Sequence, residues 1–192
     1  MILAYAIIVL IILAALLRRD LSAIGRVEFK GGWKRVVLIV GLFILQAGLV
    51  IYVPGQSLLQ VIILNLSQIA LVLLLLLNHR VPGVKIFALG IALNVAVMVA
   101  NGGWMPITPE TYQFSHPARS LVEQVRPNNS KNIILSYDET RLWVLSDIIR
   151  ITLPWRQTVM SIGDMLLIVG AAQFILQVTA KKNEALVTHL SH

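Results

Sequence analysis

Two aspartates carry the most chemical promise in this 192-residue chain. Asp147 stands in "LSDII", and Asp164 follows in "SIGDMLLIVG". Two carboxylates brought to one surface cannot both ionise comfortably, so they share a proton. One can then activate water while the other donates to a carbonyl oxygen. That is aspartyl hydrolase chemistry, with an endopeptidase as the enzymatic option. Asp164 also has a purely local account. Ser161-x-x-Asp164 has the form of a capping box, and the dipole at a helix start favours a negative charge by about 0.3–1 kcal/mol. Sequence alone leaves both accounts open.

Other side chains narrow the chemistry. The chain has no cysteine, which removes disulfides, thiol nucleophiles and thiolate metal sites. His79 and His116 lie far apart, and His189 and His192 sit near the carboxyl terminus. No metal motif is visible, so neither metal nor cofactor is expected. Amides interrupt apolar runs at Gln46, Asn65, Gln68, Asn94, Gln173 and Gln177, with Ser67 beside them. An amide facing lipid leaves donors unpaired at a cost of several kcal/mol, on the order of a lost hydrogen bond or more. These groups should therefore bond to neighbouring helices or line a polar cavity. Asn65 and Gln68 fall on one helix face, and Asn94 occupies the next apolar run. Asn101-Gly102-Gly103 reads as a tight exit turn anchored by Trp104, from which Met105-Pro106 extends away. Its alternative role is a backbone site for a carbonyl or an anion. Asn65, Gln68, Asn94, Asn101, Gly102 and Gly103 are thus candidate binding residues beside the candidate catalytic pair.

The elements that must position these groups are set by composition. The chain is 57% hydrophobic and 13% charged, with a mean hydropathy of +0.81. Soluble domains are usually about 25% charged, so most of this surface must face lipid. A spanning helix needs about 20 mostly apolar residues. Five runs approach that: 1–17, 36–53, 58–77, 86–100 and 165–180, the last starting a few residues earlier. The first lacks a basic start and ends in Arg18-Arg19-Asp20, which favours a retained span over a cleaved signal. Pro54-Gly55-Gln56-Ser57 joins the second and third runs as a tight antiparallel hairpin. Gly163, Gly170, Ala171 and Ala172 permit close packing of the last run.

The expected fold is an all-α bundle of five transmembrane helices. It divides into a four-helix region (1–100), a loop subdomain (101–160), a fifth helix (161–180) and a tail (181–192). Within the subdomain, "SLVEQV" suggests a helical turn, "NIILSY" a strand, and "RLWVLSDII" a short interfacial helix.

Charge gives the bundle a direction. Arg18–Arg35 carries six basic and two acidic residues; with Arg80, Lys85, Lys181, Lys182 and Glu184, that side holds ten basic and three acidic. The subdomain side holds six of each, so the whole net charge of +7 falls on one side. The positive-inside rule makes that side cytoplasmic. The amino terminus is then outside, the tail inside, and the subdomain exoplasmic. Trp33 marks the inner edge, and Tyr52, Trp104 and Trp155 the outer one. The pI of about 10.2 therefore points to membrane orientation, and nucleic acid is not expected as a partner. The expected partners are the bilayer and other membrane-protein subunits.

Two resemblances follow. "LSDII" and "SIGDMLLIVG" resemble the carboxyl-terminal part of bacterial lipoprotein signal peptidases. That likeness implies catalytic roles for Asp147 and Asp164, with Gly170 at the family's following glycine. Ser161 stands where that family has asparagine, and Glu139 follows Asp138 where it has arginine. "NGGWMPI", "DETRLWVLSDII" and "SIGDMLLIVG", in that order, resemble a family of small bacterial membrane proteins of unassigned function. It implies a multi-spanning protein of the bacterial cytoplasmic membrane and no activity. The sequence reading is a non-catalytic accessory or scaffold subunit. The alternatives are a membrane aspartyl peptidase, and lipid or small-molecule binding or transport.

Overall fold

A computed structural model describes residues 2–180. The tail 181–192 lies outside the described residues. The apolar runs form α1 (Ile2–Leu16), α2 (Gly32–Tyr52), α3 (Leu58–Leu76), α4 (Val84–Ala100) and, after the subdomain, α6 (Ile162–Val178). Two of these, α2 and α3, are long and apolar enough to cross a membrane; α1, α4 and α6 are shorter apolar helices. The last helix begins at Ile162, a few residues before its apolar run, because Ser161 caps it. The turn after α2 ends at Ser57, whose hydroxyl accepts from the Gln60 N–H and starts α3.

Packing runs in a row, α1 against α6, α6 against α4, α4 against α3, and α3 against α2. Leu71, Leu75, Val84, Ala88, Ile91, Val95 and Leu167 form the core of α3, α4 and α6. Between α4 and α6 the backbones themselves touch. A Cβ on Gly90 would stand 2.6 Å from the Gly163 carbonyl oxygen, and one on Gly170 2.7 Å from the Phe87 nitrogen. Gly83 abuts the Gly170 carbonyl. Glycines spaced seven apart on each helix thus face each other in antiparallel order. With no side chain between them, the two backbones gain close van der Waals contact along the pair.

The subdomain is not helical throughout, which corrects the all-α expectation. It contains β1 (Met105–Ile107), α5 (Pro109–Ser115), β2 (Asn132–Ile134), β3 (Ile149–Leu153) and β4 (Arg156–Met160). β1 and β2 pair in parallel, Met105 opposite Asn132. β3 and β4 form an antiparallel hairpin across Pro154-Trp155. The strand expected in "NIILSY" is β2. The helix expected in "RLWVLSDII" is only a 3-10 turn at Trp143–Leu145, and Ile149 already belongs to β3. Ile149, Ile151 and Leu153 alternate with Arg150 and Thr152, a period of two that suits a strand better than a helix. "SLVEQV" is irregular, with a turn at Glu123-Gln124.

Met105-Pro106 does not extend away. β1 is wholly buried, and it carries the bundle core into the subdomain through Leu64, Val97, Met98, Trp104 and Met105. Trp104 is likewise no edge anchor: it is 2% exposed, and the Arg126 guanidinium lies 4.4 Å above its ring. Tyr52, Trp155 and Trp33 are exposed, as edge aromatics would be.

Candidate functional site

The two aspartates do converge, and the subdomain topology is the cause. The Met105 N–H donates to the Lys131 carbonyl at 3.0 Å, which fixes Lys131 and Asn132 on one side of β1. The Asp147 N–H donates to the Pro106 carbonyl at 3.2 Å. Proline has no N–H of its own, but its carbonyl remains an acceptor. β4 then leads directly into α6, whose capping box is complete. The Asp164 N–H donates to Ser161 Oγ at 3.0 Å, and the Ser161 N–H returns to Asp164 Oδ2 at 3.4 Å.

Lys131 stands between the acids. Its Nζ lies 3.4 Å from Asp164 Oδ2 and 3.9 Å from Asp147 Oδ1. Amides take the remaining oxygens. Asn94 Nδ2 donates to Asp164 Oδ1 at 2.9 Å, and Asn132 Nδ2 donates to Asp147 Oδ2 at 2.7 Å. Ser161 Oγ donates to Asn94 Oδ1 at 2.8 Å, which orients that amide. The cluster joins α4, α6, β2 and the segment before β3. Among the described residues, Asp147 Oδ1 has no hydrogen bond, and Lys131 is the cation within ion-pair distance of it.

The electrostatics follow from burial. The Asp147 side chain is 3% exposed, while that of Lys131 keeps 36%. Burial pushes the Asp147 carboxyl above its ordinary value; Lys131 opposes that shift and Asp164 adds to it. Burial alone would lower Lys131, but the carboxylates of Asp147 and Asp164 outweigh it and hold the ammonium above its ordinary value. A lysine held protonated cannot serve as a general base. Its positive charge offsets part of the repulsion between the two carboxylates. Among the described residues, four cavities span about 340 to 520 Å³, and neither aspartate lines them.

The candidate binding residues divide among different tasks. Asn65 Nδ2 donates to the Val61 carbonyl at 2.8 Å and to the Gly103 carbonyl at 3.1 Å. Gln68 Nε2 lies 3.6 Å from Met98 Sδ. Asn101 Nδ2 donates to the Val97 and Arg141 carbonyls at 2.7 and 2.8 Å, and its Oδ1 accepts from the Arg141 N–H at 2.9 Å. Gly102 and Gly103 have φ of +76° and +92°, which the exit turn requires and glycine adopts freely. Of this set, Asn94 alone joins the acid cluster; the others fasten α3, α4 and the subdomain to one another.

Sequence reasoning missed Lys131, Asn132 and Arg126. Arg126 is 3% exposed. It donates to the carbonyls of Val50, Val53 and Gly55 at 2.7–2.9 Å and to that of Ser130 at 2.6 Å. It thereby satisfies the orphan carbonyls at the end of α2, as Gln60 does for Leu49 and Val53. Their basic character was the available signal for Lys131 and Arg126, and four other basic residues on the same side share it.

Among known proteins, the chain is similar to an uncharacterized protein of Thermotoga maritima, 31% identical over 122 residues. That match covers 60% of this chain and 63% of the relative's length. No solved structure matches the chain. Residues 26–176 match a family of unknown function, DUF5317, and the chain belongs to that family.

Proposed function

We propose that the chain is a five-span protein of the bacterial cytoplasmic membrane that acts as a non-catalytic accessory or scaffold subunit. Its amino terminus is outside, its carboxyl terminus is cytoplasmic, and the 101–160 subdomain is exoplasmic. The observation that carries the non-catalytic reading is Lys131. It is within ion-pair reach of both aspartates, and the amides of Asn94 and Asn132 occupy the remaining sides. This is the chemistry of a fastening between a subdomain and two helices. The apolar surface left over fits lipid or partner helices: α2 has no buried residue, and Ile44, Leu58, Leu66 and Leu73 are more than half exposed.

One observation favours a second reading. Asp147 and Asp164 converge from separate elements, as an aspartyl peptidase of the lipoprotein signal peptidase kind would need. A peptide-cleavage assay in vesicles separates the two. The scaffold reading expects no cleavage above the enzyme-free rate, with Asp147→Asn and Asp164→Asn indistinguishable from the unaltered chain. Cleavage abolished by either substitution would establish the peptidase instead. Orientation is tested by single cysteines, which the cysteine-free sequence makes clean probes. With a membrane-impermeant maleimide on intact cells, exposed Ser120→Cys should label and exposed Gly25→Cys should not. The reverse pattern would invert the topology.

A further inference from the structure

At the end of the bundle away from the subdomain, two hollows share a wall. One is a crevice of about 350 Å³ between α1, α2, α4 and α6 whose exposed lining is entirely apolar. Ile7 and Ile11 flank it on α1, Ile39 and Phe43 on α2, and Phe29 of the α1–α2 linker also lines it. The other is a hollow of about 420 Å³ lined by Lys30, His79, Arg80, Glu28 and, again, Phe29.

The second hollow is built, not incidental. The Lys30 N–H donates to Asn78 Oδ1 at 2.6 Å, and Asn78 Nδ2 donates to the Leu74 carbonyl at 3.1 Å. Asn78 is 3% exposed, so it pins the α1–α2 linker onto the end of α3. His79 Nδ1 lies 3.1 Å from the Leu76 carbonyl, which holds the ring at the end of α3. Among the described residues, the ion pairs are Arg26 with Asp20 and Lys131 with its two aspartates. Among the described residues, neither Lys30 nor Arg80 has a carboxylate within ion-pair distance, Glu28 included.

A hollow with more basic than acidic side chains, opening beside a wholly apolar slot, matches one chemistry: an anionic head on a hydrocarbon tail. Basic pockets between helices at the cytoplasmic face attract anionic lipid heads in this way, and a charged rim on an apolar cavity fixes a ligand's orientation. We infer that this is a binding site for an anionic phospholipid. The phosphate rests on Lys30 and Arg80, and one acyl chain lies past Phe29 in the crevice between α1 and α2. A free anion would use the basic hollow alone and leave the slot unexplained. The site rests on the membrane reading above and is independent of the scaffold role.

Native mass spectrometry of the full chain in detergent tests it, with phosphatidylglycerol and phosphatidylcholine of matched acyl chains as probes. Phosphatidylglycerol should be retained in preference. Lys30→Gln with Arg80→Gln should cut that retention roughly tenfold or more, given the attraction of each basic residue for an anionic surface. The same charge change at Lys34→Gln with Lys85→Gln, outside the hollow, should leave it within about twofold. Ile39→Trp, which fills the crevice and leaves the charges alone, should weaken retention as well. Equal retention of the two lipids would overturn the site. So would equal losses from the two double substitutions, or full displacement of the lipid by millimolar inorganic phosphate. A chain that stays monodisperse in water without detergent would instead sink the membrane reading itself.

Discussion

The α4–α6 pair and α2 carry the same small-residue signature and use it in opposite ways. Gly83 and Gly90 meet Gly170 and Gly163 backbone to backbone. Gly41 and Gly48 on α2 have the same spacing of seven, yet a Cβ on either would meet nothing within 4 Å. The ends differ too. Over α4 and α6 sits the ionic cluster of Lys131, Asp147 and Asp164. The end of α2 is held by Arg126 and Gln60, whose donors reach only backbone carbonyls. Glycine spacing therefore marks a possible contact face, and the neighbour decides whether it becomes one. That neighbour brings either close van der Waals packing or a polar bond.

The largest break in this comparison should come from removing the charge that caps the tight pair. Lys131→Met leaves Asp147 buried beside Asp164 with no cation. Breaking a fully buried pair costs about 3–5 kcal/mol; the partly exposed Lys131 brings the expectation down to about 2–4 kcal/mol. Adding Asp147→Asn to Lys131→Met should recover a substantial part, because it removes the stranded charge. The pH dependence has a definite sign. Lys131 titrates higher folded than its ordinary value of 10.5. Its stabilisation is therefore undiminished from neutral pH up to about 10.5 and is lost as pH rises through the folded value. Thermal unfolding in detergent should show the gap between the unaltered chain and Lys131→Met closing above that pH. A gap unchanged up to pH 12 would remove the ion pair from the account.

A smaller effect should follow from one methyl group between the helices. Gly90→Ala places its Cβ against the Gly163 carbonyl, which belongs to backbone and cannot rotate away. Overpacking of this kind costs about 1–3 kcal/mol. A lowered melting temperature should come with weakened protection of the α6 amides in hydrogen exchange. If the variant matches the unaltered chain in both, α4 and α6 do not cross at these glycines.

What the sequence discloses depends on how local the cause is. The capping box was legible because Ser161 and Asp164 satisfy each other within one turn. The small residues of α6 were legible as a packing face, but their partners Gly83 and Gly90 were not singled out, since nothing in α4 alone says which neighbour approaches. Lys131 was invisible as the partner of Asp147. The parallel pairing of β1 with β2 brings them together, and parallel strands require a long crossover that leaves no short-range mark. Trp104 was misplaced for a related reason. An aromatic next to an apolar run suits an interface by type, and only Arg126, folded over its ring, explains why it is buried. The β3–β4 hairpin had a readable period of two, but Ile149 also closes "RLWVLSDII", whose spacing reads as a helix.

The smallest expected effect is also the sharpest test, since it is the same substitution with the opposite sign. Gly48→Ala adds a methyl to α2 where nothing stands within 4 Å. Alanine restricts the unfolded chain and favours helix over glycine by no more than about 1 kcal/mol. The variant should melt at the same temperature as the unaltered chain or slightly above it, whereas Gly90→Ala melts below. Should Gly48→Ala instead lose stability as Gly90→Ala does, α2 has a packed partner along that face. The most direct candidate is then a second helix supplied by another subunit, and cross-linking from a cysteine at position 48 would find it.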